Sequence, residues 1–277
     1  MDNVKIDEVG YWSEVKLNIV REYAAAYSTI MNKQPEIRRH LYIDGFAGAG
    51  VHLSKETKEF IPGSPLNALN VVPPFKEYHF IDLDGGRAES LRRIAGARKE
   101  VFVYEGDCNG VLLEKVFPRA RYEHFNRALC LLDPCGLHLD WGVVEAAGRM
   151  RSVEVFLNFP VMDINRNVLW RDPNRVQESQ ARRMDEFWGD RSWRDAAYVK
   201  KPGLFGQIEE REDMGVIAEA FQERLRDVAG FRFIPYPMPM RNTKGLIVYY
   251  LFFASPNETG GKIVKDIFRK YGNRGAV

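Results

Sequence analysis

The spacing of apolar positions changes period several times along the chain, and each change predicts an element. From 12 to 31, Leu17, Val20, Tyr23, Ala24, Tyr27 and Met31 recur at steps of three and four, which predicts an amphipathic helix with Ser13 as its N-cap. After Pro35 the run Leu41-Tyr42-Ile43 is continuous, β-prone and cut off by Asp44-Gly45-Phe46-Ala47-Gly48-Ala49-Gly50, so a buried strand is expected to enter a glycine-rich turn. The alternation then repeats. A helix over 64–71 precedes a strand over 78–81 that ends at Asp82-Leu83-Asp84; a helix over 86–95 precedes a strand over 101–104 that ends at Glu105-Gly106-Asp107. A helix over 109–116 leads to a strand over 128–132 ending at Asp133-Pro134, and a helix over 141–150 to a strand over 153–157 ending at Asn158-Phe159-Pro160. Five apolar strands separated by helices predict a doubly wound α/β fold, a parallel sheet covered on both faces.

The rhythm breaks over 163–230, a charged stretch that holds Trp170, Trp188 and Trp193 and reads as helices inserted above the sheet. Two β-rich segments, 231–237 and 246–254, then suggest an antiparallel hairpin at the sheet edge, followed by a helix over 257–271. The expected organisation is one domain over 1–277: an N-terminal helix (1–35), a core (36–162), a helical insert (163–230), and a closing hairpin with a C-terminal helix (231–277).

Composition narrows the class. Of the 277 residues 45% are hydrophobic, enough to fill a sizeable core, and a net charge of +2 offers no chain-wide basic field, so any polyanion-binding surface must be local. No apolar run long enough to span a bilayer is present, and the acidic start is unlike a signal peptide, so a soluble cytoplasmic protein is expected. Cys108, Cys130 and Cys135 lack zinc-ligand spacing, as do the histidines, so no metal is expected.

In an open parallel sheet, ligands bind beyond the carboxyl ends of the strands, where the polar residues named above accumulate. Asp44, Gly45, Gly48 and Gly50 would let the backbone approach a ligand. Asp82 is placed to accept ribose hydroxyls, or else is a solvated turn residue. Asp107, with Cys108 beside it, is placed against an adenine amino group, or else caps the following helix. No GxxxxGK[ST] loop is present, which disfavours phosphoryl transfer and leaves a nucleoside without a polyphosphate.

Together DGFAGAG, the acidic end of the second strand, the Gly-Asp of the third and the Asp-Pro of the fourth resemble S-adenosylmethionine-dependent methyltransferases. That resemblance implies a Rossmann-like class I fold with a mostly parallel seven-stranded sheet and a C-terminal antiparallel hairpin. A narrower resemblance runs along nearly the whole chain. Tyr11-Trp12-Ser13 with Lys16-Leu17, YIDGFAGAG (42–50), GSPLNAL (63–69), FIDLD (80–84), LLDPCG (131–136), LNFP (157–160) and YYLFFAS (249–255) look like the three-Cys-motif partner (TcmP) family of bacteria and phages. It implies S-adenosylmethionine as cofactor and a separate three-cysteine-motif protein as partner.

By resemblance to amino-group methyltransferases of nucleic acids, Asp133 and Pro134 are candidate catalytic residues, holding an exocyclic amine of a base, although Cys135-Gly136 departs from that pattern; Asn158 is a third candidate by its place at the same mouth, where it could hydrogen-bond a substrate and Phe159 could stack, or else the two form a capped turn leaving the sheet. Cys135 raises a rival reading, a nucleophile for cytosine C5 methylation, although the Asn158-Phe159-Pro160 end of the fifth strand departs from that pattern. A non-catalytic cofactor-binding partner and a methyltransferase of a small molecule or protein also remain open. His138 and Asp140 are near enough in sequence to act as a base pair, but a lone His-x-Asp is common and reads more simply as two solvated side chains.

Between 165 and 194 stand seven arginines (166, 171, 175, 182, 183, 191 and 194), five acids and the three tryptophans, which read either as a DNA or RNA lid or as a solvated, ion-paired face around core tryptophans. Lys262, Lys265, Arg269 and Lys270 of the tail helix would extend such a lid.

Overall fold

The computed structural model describes residues 6–170, 175–203 and 206–272. Its centre is a seven-stranded sheet whose strands, numbered here in chain order, are β1 (Arg39–Asp44), β2 (Glu77–Asp82), β3 (Val101–Glu105), β4 (Asn126–Leu132), β5 (Val153–Phe159), β6 (Met238–Arg241) and β7 (Ile247–Ala254). In space they run β6-β7-β5-β4-β1-β2-β3. The first five are mutually parallel, and β7 lies antiparallel between β5 and β6. Strand order reverses beside β1, so the crevice expected to hold a ligand opens between the carboxyl ends of β1 and β4. This is an α/β fold with the mostly parallel seven-stranded sheet and C-terminal antiparallel hairpin that the sequence resemblance implies.

Alternation along β4 shows how the core divides. Leu129 and Leu131 join Tyr23, Tyr27 and Phe156 on one face, under α1 (Tyr11–Asn32). Cys130 and Leu132 join Val143, Ala147 and Phe221 on the other. All are buried, as period-two placement between two covered faces requires. The remaining helices are α2 (Ser64–Leu69), α3 (Gly85–Ala95), α4 (Cys108–Val111), α5 (Trp141–Met150), α6 (Val161–Asn167), α7 (Glu178–Trp188), α8 (Trp193–Ala197), α9 (Met214–Asp227) and α10 (Glu258–Gly272).

Several boundaries depart from the sequence expectation. The strand expected over 231–237 is absent apart from a bridge between Phe233 and Ser255, and the edge strand begins at Met238. Pro235 and Pro237 have no N–H to donate to a ladder, which accounts for the delay. Helix α1 is capped by Gly10 without a side-chain bond, so Ser13 is not its N-cap. The helix expected over 109–116 is a short α-helical turn, followed by π-helical Leu112–Val116 and 3-10 Phe117–Ala120.

The insert is not wholly helical: Tyr198–Gly203 and Gly206–Arg211 form an antiparallel ribbon. A second small sheet, unanticipated because its strands are so short, joins Asp7–Val9, Val51–Ser54 and Phe60–Pro62 over the glycine-rich turn. Among the described residues no helix is long and apolar enough to cross a membrane.

Candidate functional site

The turn after β1 is fastened on all sides. Gly45 N–H donates to the Leu131 carbonyl (2.9 Å), Ala47 N–H to that of Ile81 (2.9 Å), and Gly63 N–H, just before α2, to that of Gly50 (2.8 Å). Ser90 of α3 donates to the Ala49 carbonyl (3.1 Å). Gly48 and Gly50 adopt left-handed φ of 65° and 84°, which favours glycine at both, and a Cβ on Gly50 would also push on the tip of Ile94, 2.5 Å from its Cδ1. Gly45 serves packing, since a Cβ there would lie 3.0 Å from Cys108 Sγ.

Asp82 binds this turn directly. Its Oδ2 accepts from Gly48 N–H (2.9 Å) and its Oδ1 from Asp84 N–H (2.9 Å), leaving further lone pairs on each oxygen. Asp84, rather than Asp82, caps α3. Asp107 accepts from Gly110 N–H (3.1 Å) and so caps α4, while remaining exposed. Cys108 is buried against Gly45, and burial raises its thiol pKa far above the ordinary value.

Asp44, at the end of β1, is fully buried. One carboxylate oxygen accepts from Phe46 N–H (3.3 Å), and the other has no partner. Burial raises the pKa of this carboxyl to about 7, against the lowering effect of the nearby Ser64 hydroxyl and of the Phe46 N–H. His52 Nδ1, just beyond the turn, and Asn158 Oδ1, near the end of β5, are likewise buried without partners. Burial first, and then the Lys16 charge, depress the pKa of His52 and favour the neutral imidazole. Unpaired buried polar atoms are costly, and Asp44 Oδ2, His52 Nδ1 and Asn158 Oδ1 lie toward the carboxyl edge of the sheet, whereas a fourth, Tyr27 Oη, lies in the core under α1.

At the end of β4, Lys16 of α1 pairs with Asp133 Oδ2, an ion pair reaching across 117 residues of sequence. Lys16 is buried and also lies 5.1 Å from the centre of the Tyr249 ring. Asn158 Nδ2 donates to the Pro134 carbonyl at 3.4 Å. The backbone beyond is held from the insert: Leu137 N–H donates to Asp163 Oδ2 (3.1 Å), and Arg183 pairs with the same oxygen (3.3 Å). A Cβ on Gly136 would come within 2.8 Å of that carboxylate. Asp133, Pro134 and Asn158 therefore stand together, with Asp44 one strand away on β1.

Lys16, His52 and Asp163 are not among the sequence candidates, and Arg183 is expected there only as part of a nucleic-acid lid. Lys16 has a readable signal, because it lies four residues before Val20 and seven before Tyr23, on the apolar stripe of its helix.

The insert's tryptophans divide. Trp188 and Trp193 are buried, with their indole N–H groups bound to Ser192 and Asp185, so neither offers a face to a base; Trp170 is exposed. Arg191 pairs with Glu178 and Asp185. Arg171 and Asp172 lie outside the described residues. On α10, Lys262, Arg269 and Lys270 pair with Glu258, Asp266 and Glu22, so the expected basic stripe is largely neutralised. Cys135 and His138 are exposed. Among the described residues no cluster of three or more His, Cys, Asp and Glu could hold a metal ion.

No family model matches the chain, and no curated protein matches it. Solved structures do. Protein LPL1258 from Legionella pneumophila, which carries the family model DUF519, is 12% identical with a TM-score of 0.53, covering 96% of this chain and 94% of that one. DszA carbon methyltransferase is 14% identical (TM-score 0.45, 86% of this chain and 53% of that one). A SAM-dependent methyltransferase from Anabaena variabilis is 11% identical (TM-score 0.35, 92% and 97%). The last two scores are too low to bear on this chain. The Legionella structure shares the α/β fold that the strand order shows, and the methyltransferase and three-Cys-motif partner resemblances stand on the sequence motifs alone.

Proposed function

We propose that this protein is an S-adenosylmethionine-dependent methyltransferase acting on an amine, most simply the exocyclic amine of a nucleic-acid base. The observation that carries the reading is the pair of unpartnered buried oxygens, Asp44 Oδ2 beside the glycine-rich turn and Asn158 Oδ1 beside Asp133 and Pro134. One suits a cationic cofactor and the other an acceptor N–H.

The residues present fit the cofactor. Asp44, Gly45, Gly48, Gly50, Asp82, Asp107 and Cys108 would hold it: the turn supplies close backbone approach, Asp82 keeps lone pairs for hydroxyls, and the free oxygen of Asp44 answers a positive charge. When bound, S-adenosylmethionine supplies a methyl group on an already activated sulfonium, so little covalent help is needed.

The chain's own contribution is positioning and a dry pocket. Lys16 occupies Asp133 Oδ2 and leaves Oδ1 to accept one amine hydrogen, while Asn158 Oδ1 accepts the other. Two accepted hydrogens fix the direction of the nitrogen lone pair. The proton released on transfer passes to Asp133 Oδ1. Asp163 and Arg183 act as positioning residues, because they hold the backbone beyond Asp133.

The reading is tested by incubating the protein with methyl-labelled cofactor and nucleic acid, then analysing the nucleosides by mass spectrometry. Methylated amine in the wild type, absent in Asp133→Ala with cofactor affinity within a few fold, is the expected result. Transfer that survives Asp133→Ala would overturn the assignment of the acceptor pocket.

A further inference from the structure

The parallel strands bring their amino ends, and the residues just before them, to the edge of the sheet opposite the site described above. Main-chain bonds tie the approaches together there: Arg38 N–H to the Phe125 carbonyl (3.0 Å), Lys76 N–H to that of His40 (3.0 Å), and Ala128 N–H to that of Ser152 (2.8 Å). The side chains are strongly basic. Arg38, Lys76, Lys99, Arg121 and Arg151 are exposed and Arg127 is half-buried, and none of the six forms a salt bridge among the described residues. Glu77 is already taken by Arg39, Arg119 and His79, and Glu145 by Arg149, leaving Glu36, Glu100 and Glu123 as the other acids of this edge. Cations outnumber acids here, in a chain whose total charge is only +2.

Two aromatic rings stand among these cations. Tyr122 is 51% exposed with the Arg127 guanidinium 4.0 Å from its ring centre, and Phe125 is 48% exposed with Arg38 at 6.0 Å. Phe125 is held at a φ of 59°, which bulky residues rarely adopt, so the fold accepts strain where it presents that ring. Beside Tyr122 opens a cleft of about 420 Å³ whose lining includes Phe117, Pro118, Met150, Arg121, Arg149 and one acid, Glu123.

We infer that this edge is a binding surface for single-stranded nucleic acid. Phosphates lie on the free arginines and lysines, bases stack on Tyr122 and Phe125, and one base enters the cleft. Protruding aromatic faces separate this partner from an acidic protein segment or a duplex, which offer no free bases to stack. With β4 seven residues long at about 3.3 Å each, the surface lies about 20 Å from Asp133, so it anchors a strand rather than presenting the reacting base. It does not depend on the methyltransferase reading.

Fluorescence anisotropy with labelled oligouridylate, without cofactor and over a range of salt, tests the inference. The wild type should bind with log affinity falling linearly in log salt. Arg121→Glu/Arg151→Glu should weaken binding and flatten that slope by at least about 1.4, two phosphate contacts at about 0.7 each. Tyr122→Ala should weaken binding about 5- to 150-fold with the slope unchanged. Arg182→Glu/Lys265→Glu, on the insert and tail, should change little.

Absence of binding at low salt would overturn the surface. So would loss of binding only in the Arg182→Glu/Lys265→Glu variant, or equal capture of phosphatidylserine vesicles by wild type and Tyr122→Ala together with undiminished oligouridylate binding by Tyr122→Ala. Cofactor binding, measured separately by calorimetry, tells failure here from failure of the methyltransferase reading.

Discussion

Replacing Asp44 by Asn should make the free protein more stable at alkaline pH and its cofactor complex weaker. Asp44 is fully buried with one oxygen unpartnered, and burial raises its pKa from the usual 3.8 to about 7. A carboxyl whose pKa is higher folded than unfolded holds its proton more tightly in the folded state. Between those two values folding takes up a proton, so stability falls as pH rises and levels off above the folded pKa. From pH 5 to pH 8 the carboxyl loses the benefit accrued over about two pH units, or about 3 kcal/mol at about 1.4 kcal/mol per unit.

The side-chain amide of the Asp44→Asn variant does not titrate and escapes that loss. Urea unfolding at pH 5 and pH 8 should therefore show wild-type stability falling by about 3 kcal/mol more than that of Asp44→Asn; the contribution of Glu154, common to both, cancels. The same substitution removes the negative partner proposed for the cofactor's positive charge, so cofactor affinity should fall while stability rises, the trade expected at a binding site. Parallel loss of stability in the two proteins across this pH range would refute the argument.

Three further outcomes follow from the same geometry. Lys16→Met leaves Asp133 without its partner and should cost about 1–3 kcal/mol of stability, less than for a fully buried pair because Asp133 is a quarter exposed. As a positioning residue, Lys16 should reveal itself in kcat rather than KM, with cofactor affinity within a few fold and partial rescue by Lys16→Arg. Cys135→Ser should keep its activity, whereas inactivation together with a covalent adduct on a fluorinated cytosine substrate would establish the rival C5 mechanism. Glu154 is buried beneath Tyr23 and Ser255, and burial raises its pKa to about 7; Glu154→Gln should flatten the decline in stability, about 3 kcal/mol in size, between about pH 4.5 and 7 seen in urea titrations.

The parallel core was legible because its signals are local. Each parallel strand is a short apolar run with an Asp, Asn or Gly within a residue of its carboxyl end, and the fold brings those ends to one edge. Elements decided by tertiary contact were not legible. The three-residue strands Asp7–Val9 and Phe60–Pro62 carry no periodicity, and the ribbon at Tyr198–Gly203 is written in lysines.

At the site, strand-end residues could be named but not their partners. Nothing near Asp133 in sequence points to Lys16, although a lysine on an apolar helical stripe asks for a buried counter-charge. Arg183 looked like a phosphate ligand because composition cannot distinguish a free guanidinium from one bound to Asp163. The exposed aromatic edge has no signature in the sequence, where Tyr122 and Phe125 belong to a connecting segment, and it forms only when β1 and β4 are set side by side.

The central claim, that the residues at the carboxyl ends of β1 and β2, beside the crevice, hold S-adenosylmethionine, is tested most directly by titrating the cofactor into wild type and Asp82→Ala by isothermal calorimetry. The account predicts one site in the wild type. Its affinity should drop about 10- to 150-fold in Asp82→Ala, the loss of about 1.5–3 kcal/mol expected when a charged acceptor is removed. Wild-type protein that takes up no cofactor would contradict the account, and equal affinity in the two proteins would remove Asp82 from the site.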